Sequence, residues 1–161
     1  MVEPVQFDRE YVDGQLIERR GGDYRHARLQ CLLAATIGAR QHERRFHVFV
    51  SPTVNLRDEC YRIPDISVKA LPYEKAPVLT RPDLAIEILS PDDDAVEMLT
   101  KIGDYLAGGV PHIWVIDPYK RTLIEADQAG IRRVSTQKLS TPLVGKIDFA
   151  PLFEQLDEPT A

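Results

Sequence analysis

Glu87 stands inside the run Asp83-Leu84-Ala85-Ile86-Glu87-Ile88-Leu89, with an isoleucine on either side. An ionised carboxylate in so apolar a strand is costly unless it is paired or coordinates a cation. Asp65 is the second acid of interest, following Pro64 in another apolar run, Ile63 to Val68. If the two runs form neighbouring strands, both carboxylates converge on one divalent cation. Mg²⁺ is commonly held by one or two carboxylates, with waters and phosphate oxygens completing its octahedron. The same residues also suit a structural role. Glu87 could pair with Arg62 or Arg81 or face a solvated sheet edge, and an aspartate after proline is an ordinary turn residue.

Lys101 follows in the segment after Glu87. A lysine beside a metal-bound water orients the nucleophile or stabilises charge developing on a phosphate. Glu97 precedes it by four residues, however, which is the favourable order for an exposed helical pair. Glu18 and His26 form a second tier, eight positions apart. Either could approach the sheet carboxylates, although a histidine in the first turn of a helix equally serves packing. Asp92-Asp93-Asp94 reads as a helix start, where carboxylates are favoured on electrostatic grounds alone. No P-loop, G-x-G-x-x-G, G-x-S-x-G or H-E-x-x-H pattern occurs. Trp114 and Tyr105 read as core or interface residues rather than a base-stacking platform.

The elements that must position these groups are legible in outline. Glu10 to Arg19 reads as two short strands around Asp13-Gly14, a hairpin dipeptide. Asp23 is an N-cap for a helix from Tyr24 to about His42, with Leu29, Leu32, Leu33, Thr36 and Ile37 at helical spacing. Phe46 to Ser51 and Ile63 to Val68 read as strands, with an irregular turn between Pro52 and Tyr61. Leu71 to Arg81 contains two prolines and reads as a loop, and Asp83 to Leu89 is apolar enough for a central strand. A helix follows from Asp94 to Ala107, with Leu99, Ile102 and Leu106 on one face and Gly108-Gly109 at its end. His112 to Ile116, Arg121 to Ala126 and Ile131 to Val134 complete the strands. The sum is a mixed sheet with helices packed on it.

A chain of 161 residues fits one domain, here residues 1–156, followed by a flexible tail, 157–161. The apolar share of 43% and charged share of 28% are those of a globular chain. Two cysteines make no disulfide framework and no ligand cluster, so a reduced, cytoplasmic setting is the simplest expectation. The chain carries no membrane-spanning apolar run and no signal-peptide pattern at its start. Its net charge of −5 weighs against strong binding of duplex DNA, although a carboxylate site adds negative charge of its own.

Taken in order, the motifs form a recognisable series. Asp13-Gly14-Gln15-Leu16-Ile17-Glu18 is followed by a helix with His26, then Pro64-Asp65, then Glu87-Ile88-Leu89-Ser90-Pro91, then Lys101 and Tyr105. Gly109-Val110-Pro111-His112-Ile113-Trp114-Val115-Ile116-Asp117-Pro118 closes it. From about Tyr11 to Ala126 the chain resembles the putative restriction endonuclease family, bacterial members of the PD-(D/E)XK nuclease superfamily. The resemblance implies an α/β (α+β) restriction-endonuclease-like core: a mixed central sheet flanked by helices, behind an N-terminal β-hairpin. It implies that Asp65 and Glu87 are the motif acids and that they bind Mg²⁺ or Mn²⁺ together with the backbone carbonyl of Ile88. The superfamily lysine belongs two residues after the glutamate, where this chain has Leu89. Lys101 occupies the place to which that function moves in this family, and Glu18 and His26 occupy supporting motif positions. His112 stands where the family often has glutamate. The implied reaction is phosphodiester hydrolysis in DNA by a metal-activated water, with a homodimer as the expected assembly. Two other classes remain open: a non-catalytic nuclease-like module binding nucleic acid or protein, and a nuclease acting on RNA.

Overall fold

The structure is a computed structural model and describes residues 9–19 and 21–161. Asp13 and Gly14 both adopt positive φ and turn β1 (Arg9–Val12) back onto β2 (Gln15–Glu18), forming the expected hairpin. Helix α1 (Tyr24–Gly38) starts where Asp23 accepts a hydrogen bond from the His26 N–H at 3.0 Å. His26, Leu29, Leu33 and Ile37 bury one stripe of it. The helix ends at Gly38, short of His42, because the Arg40 N–H bonds three residues back to Ile37 and tightens the last turn. A separate short α2 (Gln41–Arg44) follows.

Strands β3 (Phe46–Val50), β6 (Ile66–Ala70), β8 (Leu84–Ile88), β9 (Ile113–Asp117), β10 (Thr122–Asp127) and β11 (Gly130–Val134) form the main sheet, in the order β11-β10-β9-β8-β6-β3. Only β8 and β9 are parallel within it, and α3 (Ala95–Ala107) crosses between them. The mixed sheet flanked by helices is thus present. The stretch from Pro52 to Tyr61, expected as an irregular turn, instead contains β4 (Val54–Arg57) and pairs it with β5 (Cys60–Arg62). These strands join β1, β2 and a two-residue β7 (Leu79–Thr80), inside the presumed loop, in a second sheet ordered β2-β1-β5-β4-β7. Beyond Val134, β12 (Lys138–Thr141), β13 (Gly145–Asp148) and α4 (Ala150–Leu156) complete the chain.

Alternation along β8 and β9 divides the interior in two. Leu84, Ile86, Ile88, Trp114 and Ile116 point toward α1 and α4, where Leu29, Leu33, Ile37, Phe149 and Phe153 meet them. Ala85, Ile113 and Val115 point the other way, toward α3 and the second sheet. Helix α3 turns Met98, Ile102 and Tyr105 inward, whereas Leu99 is 55% exposed. The apolar face is therefore rotated from the expected Leu99-Ile102-Leu106 stripe. This rotation also carries Lys101 inward, one turn from Met98 and Tyr105. Among the described residues no helix is long and apolar enough to cross a membrane.

This packing makes a direct comparison available. Leu33→Ala removes a fully buried side chain and is expected to destabilise the fold by about 2–5 kcal/mol, whereas Leu99→Ala stays within about 0.5 kcal/mol. Urea unfolding followed by circular dichroism reads both, and equal losses would contradict the rotated α3 face.

Candidate active site

Strands β6 and β8 run antiparallel with Ile66 opposite Ile86 and Ser67 opposite Ala85. One step further along the same register, Asp65 lies opposite Glu87. Each side chain is almost completely buried. Period-two alternation puts Glu87 on the α3 side with Ala85, because the other face is filled by Leu84, Ile86 and Ile88.

Asp65 is held from three directions. Its Oδ2 accepts the Ile88 N–H at 2.7 Å, across the two strands. Its Oδ1 lies 3.0 Å from His26 Nε2 and 3.2 Å from an Arg19 guanidinium nitrogen. Its backbone carbonyl accepts from Gln30 and from the Ser51 N–H. His26 is thus brought to Asp65 by the first turn of α1. Burial lowers the affinity of His26 for a proton, but the Asp65 carboxylate outweighs that and leaves its pKa raised. The loop before α1 crosses directly over this imidazole. A Cβ on Gly22 would sit 2.2 Å from His26 Nδ1, so the close approach requires glycine.

Glu87 occupies the deepest position. Burial pushes its pKa up to about 7, and the neighbouring charges of Asp65 and Glu10 add to that rise. Opposing them are Lys101 and the Tyr105 hydroxyl, which donates to Glu87 Oε1 at 2.5 Å. Burial and the adjacent Glu87 raise the Tyr105 hydroxyl well above its ordinary range, so it remains a donor. Tyr105 is a core residue, as its type suggests, and its hydroxyl also orients the central carboxylate. Lys101 is 15% exposed, with Nζ 3.9 Å from Glu87 Oε2 and 3.9 Å from Glu10 Oε1. Burial disfavours its charge, but those two carboxylates outweigh this and raise its pKa. It points into the site rather than lying along the helix surface with Glu97. Leu89 packs against the α3-side core, so the lysine beside Glu87 comes from the helix above and not from its own strand end.

Glu10 is the residue that sequence reasoning missed. It is 1% exposed on β1 and accepts the Ile63 N–H at 2.9 Å and an Arg62 N–H at 2.8 Å. Arg62 is equally buried and also donates twice to Asp104 on α3, at 2.7 and 3.0 Å. Arg62 therefore serves Glu10 and Asp104, not Glu87. The signal available in the sequence was alternation, since Val12, two residues on, packs against the same core. Glu18 goes the other way. Its side chain is 69% exposed beside Arg9, and it lines only the mouth of the cavity. The cavity, about 230 Å³, opens to solvent with Asp65, Glu87, Ile88, Lys101 and Glu10 among its walls. Among the described residues no three His, Cys, Asp or Glu side chains converge as a ready-made metal cluster. Asp93 and Asp94 act at the helix start: Asp94 caps α3 through the Val96 N–H, and Asp93 accepts the Ser90 N–H.

The sequence profile of a family described as Uma2, putative restriction endonuclease, matches residues 4–143. The crystal structure of a putative nuclease belonging to DUF820 from Anabaena variabilis aligns with a TM-score of 0.81 and 24% sequence identity. The alignment covers 92% of this chain and 90% of that one, a likeness of fold. No curated protein matches the chain.

The electrostatics of the cavity have a consequence for stability. Glu87 holds its proton more tightly folded than unfolded, so its contribution is complete below the ordinary carboxylate value of 4.5 and is lost as pH rises through about 7. His26, also raised on folding, acts in the same direction. In EDTA the melting temperature is expected to fall between pH 5 and pH 8, and Glu87→Gln to flatten that slope. A melting temperature that rises over this window in the wild type would refute the assignment.

Proposed function

The chain belongs to the putative restriction endonuclease family, and on that footing we propose that it is a metal-dependent endonuclease hydrolysing phosphodiester bonds in DNA. The observation that carries the reading is the burial of Asp65 and Glu87 side by side under Lys101, at the floor of an open cavity. Burial above all, with Asp65 and Glu10 beside it, has pushed the Glu87 carboxyl up to about 7 despite Lys101, and a bound cation would favour its charged form. The donor set suits a hard divalent ion: two carboxylates and the Ile88 carbonyl would hold Mg²⁺ or Mn²⁺, leaving further positions for water and phosphate. Such an ion, when bound, supplies Lewis-acid polarisation of the phosphate and a more acidic water.

The chain's own residues do the rest. Lys101 directs an ammonium into the cavity, where its N–H groups can bond a non-bridging phosphate oxygen as negative charge accumulates there. Tyr105 fixes one oxygen of Glu87 and leaves the other directed at Lys101. His26 fixes one oxygen of Asp65, and the Ile88 N–H fixes the other. Arg19 adds a second positive charge beside Asp65, which helps an acidic protein receive a polyanion. Glu18, at the mouth, lies where a substrate enters.

A second reading is favoured by one observation: both Asp65 oxygens already have protein donors. A site satisfied without a cation would serve a non-catalytic module that binds nucleic acid or protein. Calorimetric titration of Mn²⁺ into the wild type and Asp65→Ala separates the two. Binding that is lost in the variant, together with EDTA-sensitive cleavage of DNA abolished in Glu87→Gln, is the expected result. Absence of binding at millimolar Mg²⁺ and Mn²⁺ would reject the enzyme and leave the module. Cleavage confined to RNA would keep the site and replace the substrate.

A further inference from the structure

We propose that Glu10 is a positioning residue for Lys101: its immobilised carboxylate holds the lysine ammonium over Glu87 at the floor of the cavity. The inference rests on the nuclease reading above for its effect on turnover, and on geometry for the contact itself. A lysine has a flexible four-carbon stem and a strongly hydrated head, so left alone it seeks solvent. Lys101 does not, and its Nζ sits between two carboxylates contributed by different sheets.

The two carboxylates are not equivalent. Glu87 already accepts the Tyr105 hydroxyl and faces Asp65, so its charge is shared with several neighbours. Glu10 is fixed far more rigidly. One oxygen accepts a backbone N–H and the other a guanidinium N–H, both at ordinary hydrogen-bond lengths. Arg62 in turn cannot swing away, because it is held by Asp104 through two of its nitrogens. Strand β1 and helix α3 are therefore joined through Arg62 a short way below the lysine.

The separation of 3.9 Å between Lys101 and Glu10 is longer than a hydrogen bond. At that range Glu10 attracts the ammonium without occupying one of its N–H donors, which stay available to a ligand in the cavity. A simple structural role for Glu10, neutralising Arg62, does not account for the arrangement, since Asp104 already makes two bonds to that guanidinium.

The test compares Glu10→Gln with Asp104→Asn in the full chain. Asp104 touches the same arginine but does not line the cavity. Acetylation of Lys101 by an N-hydroxysuccinimide ester, followed by mass spectrometry, is expected to run several-fold faster in Glu10→Gln than in the wild type or Asp104→Asn. In the cleavage assay, Glu10→Gln is expected to lower kcat on the order of 10–100-fold, with KM and Mn²⁺ affinity within about threefold. If Glu10→Gln proves poorly folded, the double variant E10Q/R62M removes the charge from Glu10 and Arg62 together and is read in the same acetylation assay. An unchanged Lys101 rate overturns the proposal, as does an equal effect of Asp104→Asn. Loss of Mn²⁺ affinity in Glu10→Gln also overturns it, because Glu10 would then serve the metal. A wild type that cleaves nothing defeats the nuclease reading, while the acetylation rates still decide the role of Glu10.

Discussion

Negative charge confined inside a sheet must be answered by positive charge brought from elsewhere in the fold. Glu87 and Glu10 lie on two strands and Asp65 immediately before a third, with almost no water to solvate them. Their counter-charges come from the loop after β2, from α1, from β5 and from α3, as Arg19, His26, Arg62 and Lys101. None of these cations reaches its acid unless the element carrying it packs in one orientation. Removing one partner of such a pair leaves a buried charge unanswered, at a cost of about 3–5 kcal/mol. The rotation of α3, with Lys101 and Tyr105 turned inward, is one result of this constraint.

The two faces of the main sheet divide the labour. Toward α1 and α4 the interior is almost wholly apolar, from Leu29 and Leu33 to Phe149 and Phe153, and this face supplies most of the hydrophobic stabilisation. Toward α3 the core is smaller and adjoins the charged network, so that side supplies the chemistry. Because β8 and β9 alternate between the faces, one strand can be anchored by Leu84, Ile86 and Ile88 while presenting Glu87 on its other side. The parallel β8-α3-β9 crossover then lays the lysine-bearing helix over the same face as that glutamate.

What the sequence made legible follows the strength of local patterns. Asp65 and Glu87 stood out because a carboxylate among isoleucines is a costly arrangement, and the Asp13-Gly14 turn, the start of α1 and strands β6, β8 and β9 carry strong signals. Helix α3 was found, but its face was misread. Ile102 and Leu106 of the expected stripe do pack against the core, but Leu99 faces solvent, and the inward face also carries a lysine and a tyrosine whose polar ends are satisfied only by tertiary contacts. Glu10 was overlooked because a four-residue strand gives alternation too little length to separate its faces. The β4–β5 hairpin turns through Asp58-Glu59 rather than a glycine dipeptide, with Glu59 at positive φ, so the usual signal is absent. Strands β12 and β13 and helix α4 are short elements whose apolar residues acquire meaning only against α1 and the sheet.

The alternation of Glu10, Arg62 and Asp104 has a bearing on how such a chain changes over time. Each residue answers a neighbour's charge, and the arginine at the centre has almost no access to water. Replacing the central Arg62 by a neutral residue leaves two carboxylates unanswered in the interior, so a viable route for it passes through paired or triple replacement. These positions form an epistatic unit: what is tolerated at the arginine depends on the two acids. Asp13, exposed on the hairpin turn and paired only at the surface with Arg57, carries no such restriction, whereas Arg57 also reaches Asp104 and is tied to the unit.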